Sequence, residues 1–197
     1  MDTYKTIASP SQGTYSQLRS KFLAFAAPVR TVDEAMAFVS SIQKEYYDAR
    51  HVCYAYMLGA ARDTFRANDN GEPSGTAGKP ILGQINSGEL TDIVIAVVRY
   101  FGGIKLGTSG LIQAYKAAAA EAIAAAEVIE KTVDETLHIS FDYLLMNDVM
   151  RIVKDESPAV LAQAFDNLCT MTLAQRASLM PRLRARLENL REVTIEG

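Results

Sequence analysis

This chain has no tryptophan, and only two cysteines and two histidines among 197 residues. Cys53 and Cys169 are too few for a disulfide-stapled scaffold, and two cysteines point to a reduced compartment. With His51 and His138 they form no local cluster of the kind that holds zinc. The N-terminus lacks a basic segment followed by an apolar one, so no secretory signal is read there. No apolar run is long enough to span a bilayer. The expectation is a cytoplasmic protein without a membrane partner. A large excess of charge of either sign is also missing. The net charge of −3 gives no overall nucleic-acid signature, although a local basic face remains open. Apolar side chains are plentiful, at 49% of the chain. At this length they can bury one large core or two small ones.

Glycine is concentrated in two places. The first is Asp69-Asn70-Gly71-Glu72-Pro73-Ser74-Gly75-Thr76-Ala77-Gly78-Lys79-Pro80. The second is Arg99-Tyr100-Phe101-Gly102-Gly103-Ile104-Lys105-Leu106-Gly107-Thr108-Ser109-Gly110. The second follows a β-forming run, Ile93 to Val98, and precedes an alanine-rich helical run from Leu111 to Ala126. Glycine permits positive φ and close approach. A helix N-terminus adds unpaired N–H groups and a partial positive charge. The pattern therefore reads as an anion site. It is not a Walker A loop, because Thr108 stands where lysine is needed.

Elsewhere, Lys21 to Ala26 reads as a strand ended by Pro28. Thr31 and Glu34 have capping-box spacing before an amphipathic helix that carries Val32, Met36, Val39, Ile42 and Tyr46. Val52 to Leu58 reads as a buried central strand. Arg62 to Lys79 reads mostly as loop. Leu111, Tyr115, Ala119, Ala122 and Ala126 share one helix face, whose small side chains would let it lie close to a sheet. Beyond residue 131 the pattern changes. Leu137, Ile139 and Phe141 alternate with polar residues, and Tyr143 to Lys154 is helical. Ala159 to Phe165 pairs with Cys169 to Leu173 as a hairpin across Asp166-Asn167. Ala177 to Leu190 carries Leu179, Leu183, Leu187 and Leu190 at helical spacing, and Val193 to Ile195 is a last strand. The order βαββαβ is that of a ferredoxin-like domain. The reading is two α+β domains, residues 1–131 and 136–197, dividing near residues 130–136. Residues 132–197 carry 7 basic and 10 acidic side chains, yet Arg176, Arg182, Arg184, Arg186 and Arg191 cluster about the last helix. They are open to reading as an RNA-phosphate stripe or as a solvated face.

Three segments together resemble the IMPACT/YigZ family: Asp69 to Pro80, Arg99 to Tyr115, and the strand Arg50-His51-Val52-Cys53-Tyr54-Ala55-Tyr56. Three departures stand out. Asn70 replaces an acidic residue, Ser109 a glycine and Gln113 an arginine. The resemblance implies an N-terminal domain like the second domain of ribosomal protein S5 and a ferredoxin-like C-terminal domain related to one in elongation factor G. It also implies a translation-linked, RNA-binding role; the expectation is a non-catalytic regulator without a cofactor that binds RNA, the ribosome or a translation factor.

The candidate ligand set is Arg99, Gly102, Gly103, Lys105, Gly107, Thr108, Ser109 and Gly110, with Thr76 and Lys79 from the first loop and His51 and Gln113 as accessories. The expected ligand carries phosphate. No catalytic residue is assigned. Asp69 and Glu72 are the candidate acidic pair, either as a metal or acid–base site or as structural carboxylates, with Glu72 pairing Arg99 or Lys105. A small-molecule phosphate-binding enzyme resembling GHMP-type kinases is the alternative. It requires one pocket holding Glu72, Lys105 and Thr108. A protein-interaction module is the third reading. Cys53 is expected to be a buried small hydrophobe, Tyr54 and Tyr56 core residues, and His138 exposed.

Overall fold

The computed structural model describes residues 2–196. Residues Tyr4–Lys131 form one compact unit, and residues 2–3 with 132–196 form another. In the first unit the strands are β1 (Thr3–Ile7, which starts one residue outside it), β2 (Ser11–Gln17), β3 (Ser20–Pro28), β4 (His51–Leu58), β5 (Thr64–Asn68), β6 (Ile93–Tyr100) and β7 (Val128–Thr132). The helices are α1 (Val32–Glu45), α2 (Gly78–Ser87) and α3 (Gly107–Ala124). Five strands make an antiparallel sheet in the order β2-β3-β6-β4-β5, and β1 and β7 make a separate ribbon.

The sheet's two faces follow from strand alternation. Cys53, Ala55, Met57, Ile93, Ile95 and Val97 share a core with Phe22 and the buried sides of α2 and α3. Val52, Tyr54, Tyr56, Leu58, Val94, Ala96 and Val98 face α1. The central strands β4 and β6 are covered on both sides, so they read as unbroken apolar runs. Thr31 caps α1 by accepting from the Glu34 N–H. The Glu34 carboxylate reaches back to the Arg30 N–H, one residue before the expected partner.

Several elements depart from the sequence reading. The leading strands β1 and β2 were not foreseen, because polar residues fill most of their alternating positions. The supposed loop over Arg62 to Lys79 contains β5, an edge strand with little to bury. It also runs into α2, whose glycines and Pro80 dilute the helical signal. Proline is tolerated there because it lies in the first turn. Helix α3 starts at Gly107 rather than Leu111 and ends before Ala126. Ser109 lies within α3 and does not adopt positive φ, so its side chain causes no backbone strain.

The second unit contains β8 (Asp134–Asp142), a 3-10 turn (Tyr143–Leu145), α4 (Met146–Glu156), β9 (Ala159–Phe165), β10 (Leu168–Arg176), α5 (Met180–Glu188) and β11 (Thr194–Glu196). Its antiparallel sheet runs β11-β8-β10-β9, the ferredoxin-like arrangement. Leu137, Ile139, Phe141, Val149, Ile152, Leu183 and Leu187 form its core. Met180 is buried there, whereas Leu179 is exposed; α5 begins three residues after Ala177, where the sequence reading starts the helix. His138 lies on the open side of the sheet, its ring nitrogen 3.0 Å from the Thr172 hydroxyl. Among the described residues no helix is long and apolar enough to cross a membrane.

Helix α3 sits on β2 with almost no gap. A Cβ added at Gly13 would come within 2.3 Å of the Ala122 backbone nitrogen. Gly13→Ala is therefore expected to push α3 off the sheet and to cost about 1–3 kcal/mol in denaturant unfolding. Gly83, in α2, has open space around it. Gly83→Ala should instead stabilise by about 0.5–1 kcal/mol. Equal effects at the two positions would contradict this packing.

Candidate functional site

Glu72 is the meeting point of three elements. Its carboxylate oxygen Oε1 accepts from Arg99 Nη1 of β6 at 2.6 Å and from the Tyr115 hydroxyl of α3 at 2.7 Å. All three side chains are buried, Glu72 at 8%, Arg99 at 9% and Tyr115 at 0% exposure. Cys53 of β4 lies beside them, with its Sγ 3.4 Å from the Tyr115 oxygen and 2.9 Å from the Asp69 carbonyl. Burial first, with the Glu72 and Asp69 charges, pushes the Cys53 thiol up to about 12. It is a core residue rather than a nucleophile. Burial also drives the Tyr115 phenol far above its ordinary value.

Asp69 organises the loop from inside. Its two carboxylate oxygens accept from the backbone N–H groups of Gly75 (2.8 Å), Ala77 (3.1 Å) and Gly78 (2.8 Å), the last at the start of α2. Burial works against the charged form. The donors from Gly75, Gly78 and Ala77, together with Lys79, outweigh it and hold the carboxyl below its ordinary value of 3.8. Thr76 is buried and donates to the Pro73 carbonyl at 2.6 Å. Asn70 takes a positive φ of 39°, a backbone state asparagine tolerates. Its Nδ2 donates to the Val52 carbonyl, which an aspartate cannot do.

A surface cleft of about 430 Å³ opens beside this network, lined by Asp48, Arg50, His51, Arg99, Tyr100, Phe101 and Lys105. Strand pairing builds it, since His51 of β4 sits directly opposite Arg99 of β6. His51 Nδ1 lies 2.8 Å from the Asn70 carbonyl. A carbonyl only accepts, so Nδ1 carries the proton. Asp48 accepts from the Tyr100 hydroxyl at 2.7 Å. The Arg99 guanidinium lies over two rings, 5.8 Å from the Phe22 centroid and 5.7 Å from that of Phe101. Its Nε is buried without a hydrogen-bond partner.

The Impact N-terminal domain model matches residues 18–123, which span this network and its cleft. The chain belongs to the IMPACT family. It is 36% identical over 149 residues to the IMPACT family member YvyE of Bacillus subtilis, covering 76% of this chain and 69% of that protein. It is 42% identical over 117 residues to YigZ of Escherichia coli, covering 58% and 57%. A crystal structure described as that of a hypothetical protein superposes with a TM-score of 0.77 at 28% identity, covering 99% of this chain and 97% of that one.

In this IMPACT family member the structure brings Arg99, Lys105 and His51 to one cleft and leaves the other candidates outside it. Gly102 is a packing residue, since a Cβ there would lie 2.0 Å from the Arg19 backbone. Gly103 and Gly107 have positive φ with open space around them. Thr108, Ser109, Gly110 and Gln113 belong to α3, and Lys79 to α2. Glu72 and Asp69 are not a free acidic pair, because protein donors engage each of them. Neither Glu72 nor Thr108 lines the cleft that holds Lys105. Sequence reasoning missed Arg50, Tyr100 and Phe101 as lining residues. The signal was present in their positions next to His51 and Arg99.

Glu72→Ala leaves the buried Arg99 charge unpaired and is expected to cost about 3–5 kcal/mol. Tyr115→Phe removes one donor and should cost about 1 kcal/mol. Chemical denaturation distinguishes them, and equal losses would contradict the central place of the ion pair. The depressed Asp69 carboxyl contributes stability that is present above its unfolded value and lost as pH falls through its folded one. Asp69→Asn should therefore flatten the acid limb of the stability–pH curve below about pH 4. An unchanged acid limb would remove Asp69 from this role.

Proposed function

We propose that this protein is a non-catalytic RNA-binding regulator linked to translation, and that the cleft at Arg50, His51, Arg99 and Lys105 takes RNA phosphate. The observation that carries this reading is the convergence of the basic side chains Arg50, Arg99 and Lys105, with one acid, Asp48, on one cleft. One of them is a nine-tenths-buried arginine whose Nε lacks a protein acceptor. Arg99 is held by Glu72 at the cleft wall, while the exposed Arg50 and Lys105 supply the cations for phosphate oxygens. The translation link rests on the family resemblance, whose eukaryotic members regulate translation. The engaged carboxylates of Asp69 and Glu72 and the raised Cys53 thiol favour binding over acid–base or nucleophilic chemistry.

The second basic feature supports RNA binding less well. Arg182 and Arg186 of α5 both reach Glu156 of α4, at 3.0 and 2.7 Å, and Arg186 also reaches Asp155 at 2.9 Å. Arg176 pairs with Asp2 at 2.6 Å. These arginines bind acids of their own unit.

Binding to ribosomes and to structured RNA across a salt series tests the proposal. Arg99 is a poor target because its loss breaks the core. Arg50→Ala with Lys105→Ala removes the two exposed cations instead. The double variant is expected to bind more weakly to all RNA sequences and to show a salt slope shallower by about 2. No binding at low salt, or an unchanged slope, would overturn the reading.

A further inference from the structure

We infer that the cleft accommodates one unpaired nucleotide of a single-stranded RNA segment, with its base stacked on Phe101 and its phosphate held by Lys105 and Arg50. This rests on the RNA-binding reading above and specifies the form of RNA the site takes.

Phe101 carries the inference. It is a large apolar ring, 55% exposed, at the lip of a cationic cleft. Other exposed rings such as Phe65 do not line this cleft; Phe101 is set apart by the basic groups that share it. The Arg99 guanidinium lies over it at 5.7 Å and is itself fixed by Glu72 at 2.6 Å. With that cation beside it, Phe101 remains 55% exposed. An aromatic platform beside basic groups is the arrangement that binds single strands. Every base offers a π-face, and the backbone phosphate lies within reach of the cations. In a duplex the bases are stacked on one another and their faces are not available to a protein ring. The cleft volume of about 430 Å³ falls in the range of pockets that take small ligands, about 300–1,000 Å³, which suits one nucleotide rather than a helix.

Fluorescence anisotropy of the full chain with a labelled short oligoadenylate, and with the same length of duplex RNA, tests this. Phe101→Ala is expected to weaken single-strand binding about 5- to 150-fold, while Phe101→Trp retains it. Phe101→Leu keeps an apolar cover over Arg99 but lacks a π-face. It should lose affinity while melting like the parent, which separates stacking from folding. Duplex binding should be weaker than single-strand binding and insensitive to these changes. If duplex binds as tightly as single strand, or if Phe101→Leu binds like the parent, the nucleotide inference is overturned, while salt-dependent RNA binding survives. If neither RNA binds at low salt, both readings fall together.

Discussion

The first unit depends on one carboxylate oxygen. Glu72 Oε1 receives a hydrogen bond from a central strand and another from the helix behind it. A buried arginine without such a partner would be strongly destabilising, and a buried glutamate equally so. The pair therefore persists only while the loop carrying Glu72, strand β6 and helix α3 stay together. Asp69 fixes the same loop at its other end by binding three backbone N–H groups. Together the two acids close the loop onto the sheet and position Arg99 at the wall of the cleft. The electrostatics of the surface site are thus set by an interaction beneath it.

Much of this was legible in the residues, for physical reasons that differ from element to element. The βαββαβ order of the second unit was readable because Leu137, Ile139 and Phe141 alternate cleanly and the helices carry clear apolar stripes. Strands β4 and β6 announced themselves as doubly buried runs. Strands β1, β2 and β5 did not, since each buries little and its alternation is filled by polar side chains. Helix α2 was hidden by Gly78, Pro80 and Gly83. Its position is set by tertiary contact, with Gly78 packed on the Asn68 backbone. Local propensity yields to such contacts.

The two glycine-rich segments identified the right neighbourhood but not the division of labour within it. The loops and the family resemblance put Arg99, Lys105 and the α3 N-terminus on one ligand surface, and left Asp69 and Glu72 open as a metal or acid–base pair or as structural carboxylates with Glu72 pairing Arg99 or Lys105. The fold turns the two carboxylates inward as structural anchors, uses Gly102 for close packing against Arg19, and leaves the basic groups at the cleft. Strand register decides this, because His51 opposes Arg99 only once β4 and β6 pair. The arginines near the C-terminus show the same limit in reverse. They look like an excess of charge in sequence, yet Glu156 and Asp155 lie one helix away and bind two of them.

The central claim is that the cleft built over the buried Glu72–Arg99 ion pair binds RNA through Arg50 and Lys105. The direct measurement is two-dimensional nitrogen-15 NMR of the Arg99 Nε–H and the backbone amides during titration with single-stranded RNA. The account predicts that the Arg99 Nε–H shifts together with the amides of residues 50–51 and 99–105, while residues of α5 stay in place. Saturable shifts confined to α5, with Arg99 unmoved, would contradict it.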